Sequence, residues 1–366
     1  MSALNKRTVD VLIVGGGPAG LSAAMALSRT RRTVALFDNG QYRNAQVKVM
    51  NNVPGFDGTN PADFRKKVQN ELQGRYSDTF QYIPRKVLSL RKEQTAEGEP
   101  SRFHAEDENQ EAWTARKVIL ATGIKDKLPS IPGFDAIWGR SAIHCVFCHG
   151  TETKNQPIAV LLNPDDGQMT TGKALFVFLT KFANLNNHPV TVLANGMFGE
   201  DAVEPRVMPE FAITEQLLKM IKDRGYKWEM KTVSSIESVE GEDTAHSYSV
   251  TFNFKSQAET ITVPWVVYMP LTEAPESTLQ LLSDPSMSSL KDNFTKPSPF
   301  TSVPMGEMAT NGFFYKTEID GVFACGNAGL FMATVAMAVS SGQTAGAGVD
   351  NDIGMEDYNM ESSKKE

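Results

Sequence analysis

His144-Cys145-Val146-Phe147-Cys148-His149-Gly150 is the densest run of chemistry-bearing side chains in the sequence. Two thiols three positions apart can close a small disulfide or pass electrons to a neighbouring group. The string is open to other readings. A C-x-x-C-H run can attach a c-type haem, a thiol pair can supply half of a zinc site, and two cysteines can be buried and inert. No second cysteine pair exists to complete a zinc site. The remaining cysteine, Cys325, ends the apolar run Gly321 to Cys325 and reads as a small core residue.

A second motif lies near the N-terminus. Val9 to Val14 reads as a strand buried on both faces, Leu21 to Ser28 as a helix, and Gly15-x-Gly17-x-x-Gly20 joins them. Thr33 to Phe37 reads as the next strand and ends at Asp38, 18 positions after Gly20. Gly15 permits a tight turn, Gly17 lets the backbone approach a pyrophosphate, and Gly20 lets the helix pack on the strand. The pyrophosphate would rest on the helix N-terminus, where N–H groups and the dipole favour negative charge. Asp38 would accept hydrogen bonds from the adenosine ribose. A purely structural glycine turn is the alternative; the flanking strand, helix and acid favour a dinucleotide.

The rest of the chain must position these motifs. A helix is expected over Pro61 to Tyr76, with Asn60 as its cap and Pro61 at its first position. Residues 80–91, 101–106 and 111–121 alternate like strands, and Lys117 to Ala121 reads as fully buried. Further along, Ile158 to Leu162 and Pro189 to Ala194 read as strands with a helix at 172–184 between them. Met208 to Arg224 reads as a longer amphipathic helix, and 247–254 and 260–269 as strands. Residues 283–311 lack periodicity and read as an irregular loop; Ala333 to Gly348 reads as a helix, followed from Asn351 by a frayed polar tail.

At 366 residues the chain has room for about two domains of roughly 150 residues each. Its 41% hydrophobic content supplies a core, and its net charge of −7 argues against nucleic acid or an anionic membrane as partner. No apolar run reaches the ~18 residues of a membrane span. The first ten residues lack a signal-peptide core, and three cysteines do not make a secreted disulfide framework. A reducing, cytoplasmic setting is expected.

Three segments together resemble the split FAD-binding domain of flavoproteins with two dinucleotide-binding domains. They are the glycine motif, Ala121-Thr122-Gly123 after a buried strand, and Gly321 to Asn327 near the C-terminus. The resemblance implies FAD, held by Gly15, Gly17, Pro18, Ala19, Gly20, Asp38, Asn39, Arg43, Asn52, Ala121, Thr122, Gly123, Gly326, Asn327, Thr334 and Val335. That family carries an Asp where this chain has Asn327, which still accepts from a ribityl hydroxyl but brings no charge. The cysteine pair, placed after the first FAD segment, resembles that of low-molecular-weight thioredoxin reductases. This implies Cys148 as the flavin-proximal, charge-transfer thiol and Cys145 as the thiol that exchanges with substrate. The family's proton-handling Asp is His149 here. An imidazole of ordinary pKa about 6.5 takes a proton from a thiol near neutral pH better than a carboxylate of about 4, which favours thiol oxidation over disulfide reduction. His144 either assists directly or caps the preceding loop.

Thioredoxin reductases also carry a second glycine motif and a basic cluster for NADPH. Here Ile158 to Leu162 runs into Asn163-Pro164-Asp165-Asp166-Gly167-Gln168, with no glycine triplet and with two acids, and Val190 to Leu193 runs into Ala194-Asn195-Gly196 with no arginine. Acidic charge at a phosphate site costs affinity, so NADPH is not expected and molecular oxygen is the simplest acceptor. The pattern resembles the fungal dithiol oxidases related to gliotoxin oxidase, in ALFDNGQYRNAQ (35–46), HCVFCHG and AVSSGQTAGAG (338–348). It implies an α/β fold of two Rossmann-like, three-layer ββα domains. A discontinuous FAD domain would cover 1–138 and 272–350, a degenerate NADPH-like domain bearing the cysteines 139–271, and a polar tail 351–366. The implied reaction closes a disulfide in a small-molecule dithiol, with O2 as acceptor and H2O2 as product, in a homodimer without a metal. Met332 to Val335 would line the flavin ring. An NADPH-dependent thioredoxin or disulfide reductase and a non-catalytic redox-sensing flavoprotein are the alternatives. His104, His188 and His246 read as surface or loop residues, and Met287, Met305, Met308, Met332 and Met337 as adaptable packing.

Overall fold

A computed structural model describes residues 7–95, 99–100, 102–164, 172–240, 248–255, 257–293, 308, 310, 312–329 and 333–363. The chain begins β1 (Thr8–Val14), α1 (Pro18–Arg29), β2 (Val34–Phe37), α2 (Pro61–Arg75), β3 (Phe80–Ile83), β4 (Val87–Lys92), β5 (Phe103–Asp107), β6 (Ala112–Leu120) and β7 (Lys125–Lys127). It continues with α3 (Phe134–Ile137), β8 (Ala142–Ile143), α4 (Val146–Thr153), β9 (Ile158–Leu161), α5 (Gly172–Leu185), β10 (Val190–Leu193) and α6 (Glu215–Asp223). After these come β11 (Lys227–Glu229), β12 (Val233–Glu240), β13 (Tyr248–Phe254), β14 (Gln257–Val263), β15 (Trp265–Val267) and β16 (Leu271–Glu273). The last elements are α7 (Glu276–Leu281), α8 (Ser288–Asn293), β17 (Val322–Ala324) and α9 (Val335–Ser363). Two compact units result: Met1–Ala45, Thr59–Lys125 and Thr272–Glu366 form the first, and Gln46–Gly58 with Asp126–Leu271 the second. Among the described residues no helix is long and apolar enough to cross a membrane.

The first unit is built on a sheet of order β3-β2-β1-β6-β5-β4, with β17 paired to β6. Besides β1, β6 is long enough to serve two further partners: Ala112 to Ala115 pair antiparallel with β5, and Val118 to Leu120 pair parallel with β17. In the parallel part Val14 stands opposite both Phe37 and Leu120, and Leu120 opposite Ala324. The carboxyl ends of β2, β1, β6 and β17 are therefore level. Helices α1 and α9 cross closely because small residues meet: a Cβ on Gly342 would overlap the Ala19 carbonyl, and one on Gly346 would press on Ala23 and Ala26.

The tail expected from Asn351 is instead the end of α9. Val349 and Ile353 are fully buried, and the acids around them meet cations on β6 and in the turn after α1. Arg32 pairs with Asp350 at 2.6 Å, Arg116 with Asp357 at 2.7 Å, and the buried Lys117 with Glu356 at 2.5 Å. Leaving that lysine unpaired would strand a charge out of water, at a cost of several kcal/mol. The helix continues because those acids are held.

The second unit has a five-stranded parallel sheet, β11-β10-β9-β15-β8, and an antiparallel sheet β12-β13-β14. Both units thus combine a parallel Rossmann-like sheet, helices and an antiparallel layer. The longer stretch of the second unit runs from Asp126, and Phe134, Ile137 and Trp138 in it belong to the core that also holds Val266 and Tyr268. The helix expected over Met208 to Arg224 is divided: Ala212 adopts φ 55°, and α6 starts afresh with Thr214 as N-cap, its hydroxyl accepting from the Leu217 N–H. The stretch read as irregular, 283–311, contains α8; most of its remainder lies outside the described residues.

Candidate functional site

In the first unit, level strand ends bring Gly15, Asp38, Ala121–Gly123 and Gly326–Asn327 to one edge of the sheet, the edge where parallel α/β sheets bind ligands. Gly15 has φ 114° and packs on the Ala121 carbonyl, so no other residue fits. A Cβ on Gly20 would overlap the Gly15 carbonyl, whereas Gly17 faces open space. Gly17 is the N-cap of α1, no side chain caps that helix, and Pro18 opens its first turn. A helix start without a side-chain cap, beside an open glycine, suits an anion. Nearby, the Thr122 hydroxyl is buried with no hydrogen-bond partner. An orphaned polar atom beside an open, uncapped helix start fits the pyrophosphate-bearing group that the glycine motif predicts.

Asp38 is nearly buried. Its carboxylate accepts from the Tyr42 hydroxyl at 2.5 Å, the Tyr82 hydroxyl at 2.8 Å and the Gly40 N–H at 3.0 Å. Burial, and then the bond to Asp38, hold both phenols on the protonated side, with the Tyr82 hydroxyl pushed up to about 12. Arg65 stacks 3.6 Å over the Tyr42 ring. A carboxylate has about four acceptor positions, so three are already taken before a ribose arrives. The sequence reading missed Tyr42, Tyr82 and Gly16; at Gly16 a Cβ would overlap the Asp38 carboxylate. Only the placement of Asp38, not the spacing of the glycines, reveals that requirement.

Other expected cofactor residues occupy several settings. Asn39 is exposed, and its side chain accepts from the Gln41 N–H. Arg43 lies half-buried after β2, and Asn327 half-buried in the turn after β17. Gly326 has φ 63° and donates its N–H to Ser341 Oγ at 2.9 Å. Thr334 caps α9, accepting from the Met337 N–H, and Val335 opens that helix. Asn52 is exposed in the second unit, at φ 61°, and donates its N–H to Asp57. Met332 lies outside the described residues.

In the second unit the parallel pairing of β8 with β15 delivers His144 and Cys145 to a strand's carboxyl end. Cys145 is the N-cap of α4 and forms a disulfide with Cys148, with Cα atoms 5.2 Å apart. The Cys148 N–H donates to Cys145 Sγ at 3.1 Å. That contact sets a backbone donor directly beside the Cys145 sulfur. His149 leaves the helical path at φ −137° and ψ 15°. His144 stacks on Trp138, ring centroids 5.5 Å apart. Phe147, between the cysteines, is 70% exposed with Lys181 over its ring at 5.4 Å. Cys325 lies fully buried in the first unit, and burial pushes its thiol up to about 12.

The loop after β10 is filled rather than open. The Asn195 side chain accepts from the Val233 N–H at 3.0 Å, and Met197 and Phe198 are buried. Phe198 packs edge-on to Trp228, and Arg206 donates to the Phe198 carbonyl at 2.8 Å. After β9, Asn163 is buried; Asp165 to Gln168 lie outside the described residues.

Residues 9–162 match the family described as Pyridine nucleotide-disulphide oxidoreductase. A Leptosphaeria maculans protein named Thioredoxin reductase sirT is 31% identical over 341 residues, covering 93% of each chain. The chain belongs to the thioredoxin reductase-like disulfide oxidoreductases. This family is one of FAD-binding flavoproteins. A second relative of this thioredoxin reductase-like chain, Thioredoxin reductase tcpT of Claviceps purpurea (strain 20.1), is 28% identical over 92% of both chains. The crystal structure of HlmI shares its fold at TM-score 0.75 and 24% identity, covering 99% of this chain and 98% of that one.

Proposed function

We propose that the chain is an FAD-dependent dithiol oxidase that closes an intramolecular disulfide in a small-molecule dithiol, with O2 leaving as H2O2. What carries this reading is the filled loop after β10. Between β10 and α6 stand four carboxylates, Glu200, Asp201, Glu204 and Glu210, against one arginine, Arg206, already bonded to a backbone carbonyl. NADPH needs donors and cations at its phosphates. With that supply lacking, electrons enter from the substrate dithiol.

FAD, when bound, supplies a two-electron acceptor that oxygen can re-oxidise. The chain's own residues do the rest. A substrate thiolate attacks the sulfur of Cys145; the bond to Cys148 breaks and a mixed disulfide forms. The second substrate thiol attacks that mixed disulfide and releases Cys145 as a thiolate, the form its N-cap position favours. The product leaves as a cyclic disulfide, with its two electrons now on the enzyme dithiol. His149, turned out of the helix beside Cys148, and His144, held against Trp138, are the groups that receive the substrate's protons. The names of the relatives favour a second reading, NADPH-dependent disulfide reduction. Aerobic mixing of the flavin-loaded protein with a vicinal dithiol separates the two. The oxidase yields one peroxide per dithiol with no NADPH added; absence of peroxide overturns it.

A further inference from the structure

One side chain outside the expected site holds the redox helix. Asn51, in the segment Gln46–Gly58, donates from Nδ2 to the Cys148 carbonyl at 2.9 Å and to Glu152 Oε1 at 2.9 Å. Its Oδ1 accepts from the Gly58 N–H at 3.1 Å. The amide is thus bonded on both ends, and its orientation is fixed. Turning it over would aim its oxygen at the Cys148 carbonyl and the Glu152 carboxylate together, two acceptors that would repel it. The contact falls where it matters, because His149, the residue after that carbonyl, is the one that leaves the helical path. A carboxylate acceptor strengthens the amide N–H pair.

We propose that Asn51 and Glu152 are positioning residues of the dithiol centre, a clamp on the bent end of α4 that carries Cys148 and His149. The proposal rests on Cys145 and Cys148 being the redox pair. The clamp is satisfied with the disulfide closed, in the bent helix. Opening the disulfide removes the covalent tie between Cys145 and Cys148, so the clamp bonds favour the closed form.

The full-length protein is equilibrated in glutathione redox buffers, and its thiols are counted by alkylation and mass spectrometry. Asn51→Ala shifts the couple toward the dithiol by about tenfold, equivalent to about 30 mV for two electrons. Glu152→Ala shifts it in the same direction, and Glu152→Gln, whose amide oxygen still accepts from Asn51, restores the wild-type position. Should Asn51→Ala fail to fold, the Glu152 pair decides. A wild-type couple in Glu152→Ala, or a Glu152→Gln as shifted as the alanine variant, overturns the clamp. A wild-type protein whose cysteines do not titrate at all overturns the redox reading itself.

Discussion

The turn after β1 and the loop after β10 both lie at the carboxyl ends of parallel strands, β10 standing in its sheet where β2 stands in the first. At the first, Gly15 and Gly20 bring backbone against backbone, Gly17 faces open space, and no side chain caps the helix. At the second, Met197 and Phe198 are buried, Asn195 is bonded to the Val233 N–H, and the arginine is bonded to a carbonyl. A Rossmann-like sheet therefore supplies a position, not a binding site. The glycines and the uncapped N–H groups make the site, and apolar side chains that turn inward make a strand's carboxyl end part of the core.

The first test of this contrast lies at the glycines. Gly20→Val would drive a side chain into the Gly15 carbonyl. We expect the flavin-to-protein absorbance ratio to fall more than about tenfold (over 1.4 kcal/mol), while the cysteine pair still titrates in glutathione. Full flavin retention would show that the close packing is dispensable. In the other region, Phe198→Ala removes a buried ring packed on Trp228. Urea unfolding should report a loss of about 3–5 kcal/mol, with no NADPH binding gained by calorimetry. A variant that binds NADPH would mean that the loop merely blocks a latent site.

The smallest effect concerns the tyrosine pair on Asp38. Tyr82 ionises near 10 in the unfolded chain but at about 12 in the folded one. The folded state holds that proton more tightly. Its contribution to stability is complete below about pH 10 and is lost as pH rises from about 10 to about 12. Tyr82→Phe should flatten the fall in unfolding free energy across that window, and an unchanged slope would refute the assignment.

The sequence made the first βαβ unit and the cysteine pair legible because their requirements are local. Strand, glycines, helix and acid lie within 30 consecutive residues, Val9 to Asp38, and the two cysteines within four. What stayed hidden depends on distant partners. Asn51 is 97 residues from Cys148, and the helical end of α9 is secured by Arg32, Arg116 and Lys117, more than 230 residues before it. Polarity alone made those acids look like a tail. Asn51 and its neighbour Asn52 look alike in the sequence, yet Asn52 is exposed while the Asn51 side chain bonds to α4. The packing of Phe134 and Trp138 on Tyr268, more than 125 residues later, was likewise invisible.

The central claim, that electrons enter from a dithiol and not from NADPH, is tested most directly by anaerobic mixing of the flavin-loaded protein with each donor in turn. The visible flavin absorbance should be lost on adding a vicinal dithiol, persist in excess NADPH, and return on admitting air with one peroxide per dithiol consumed. Rapid bleaching by NADPH in the absence of any thiol would contradict it.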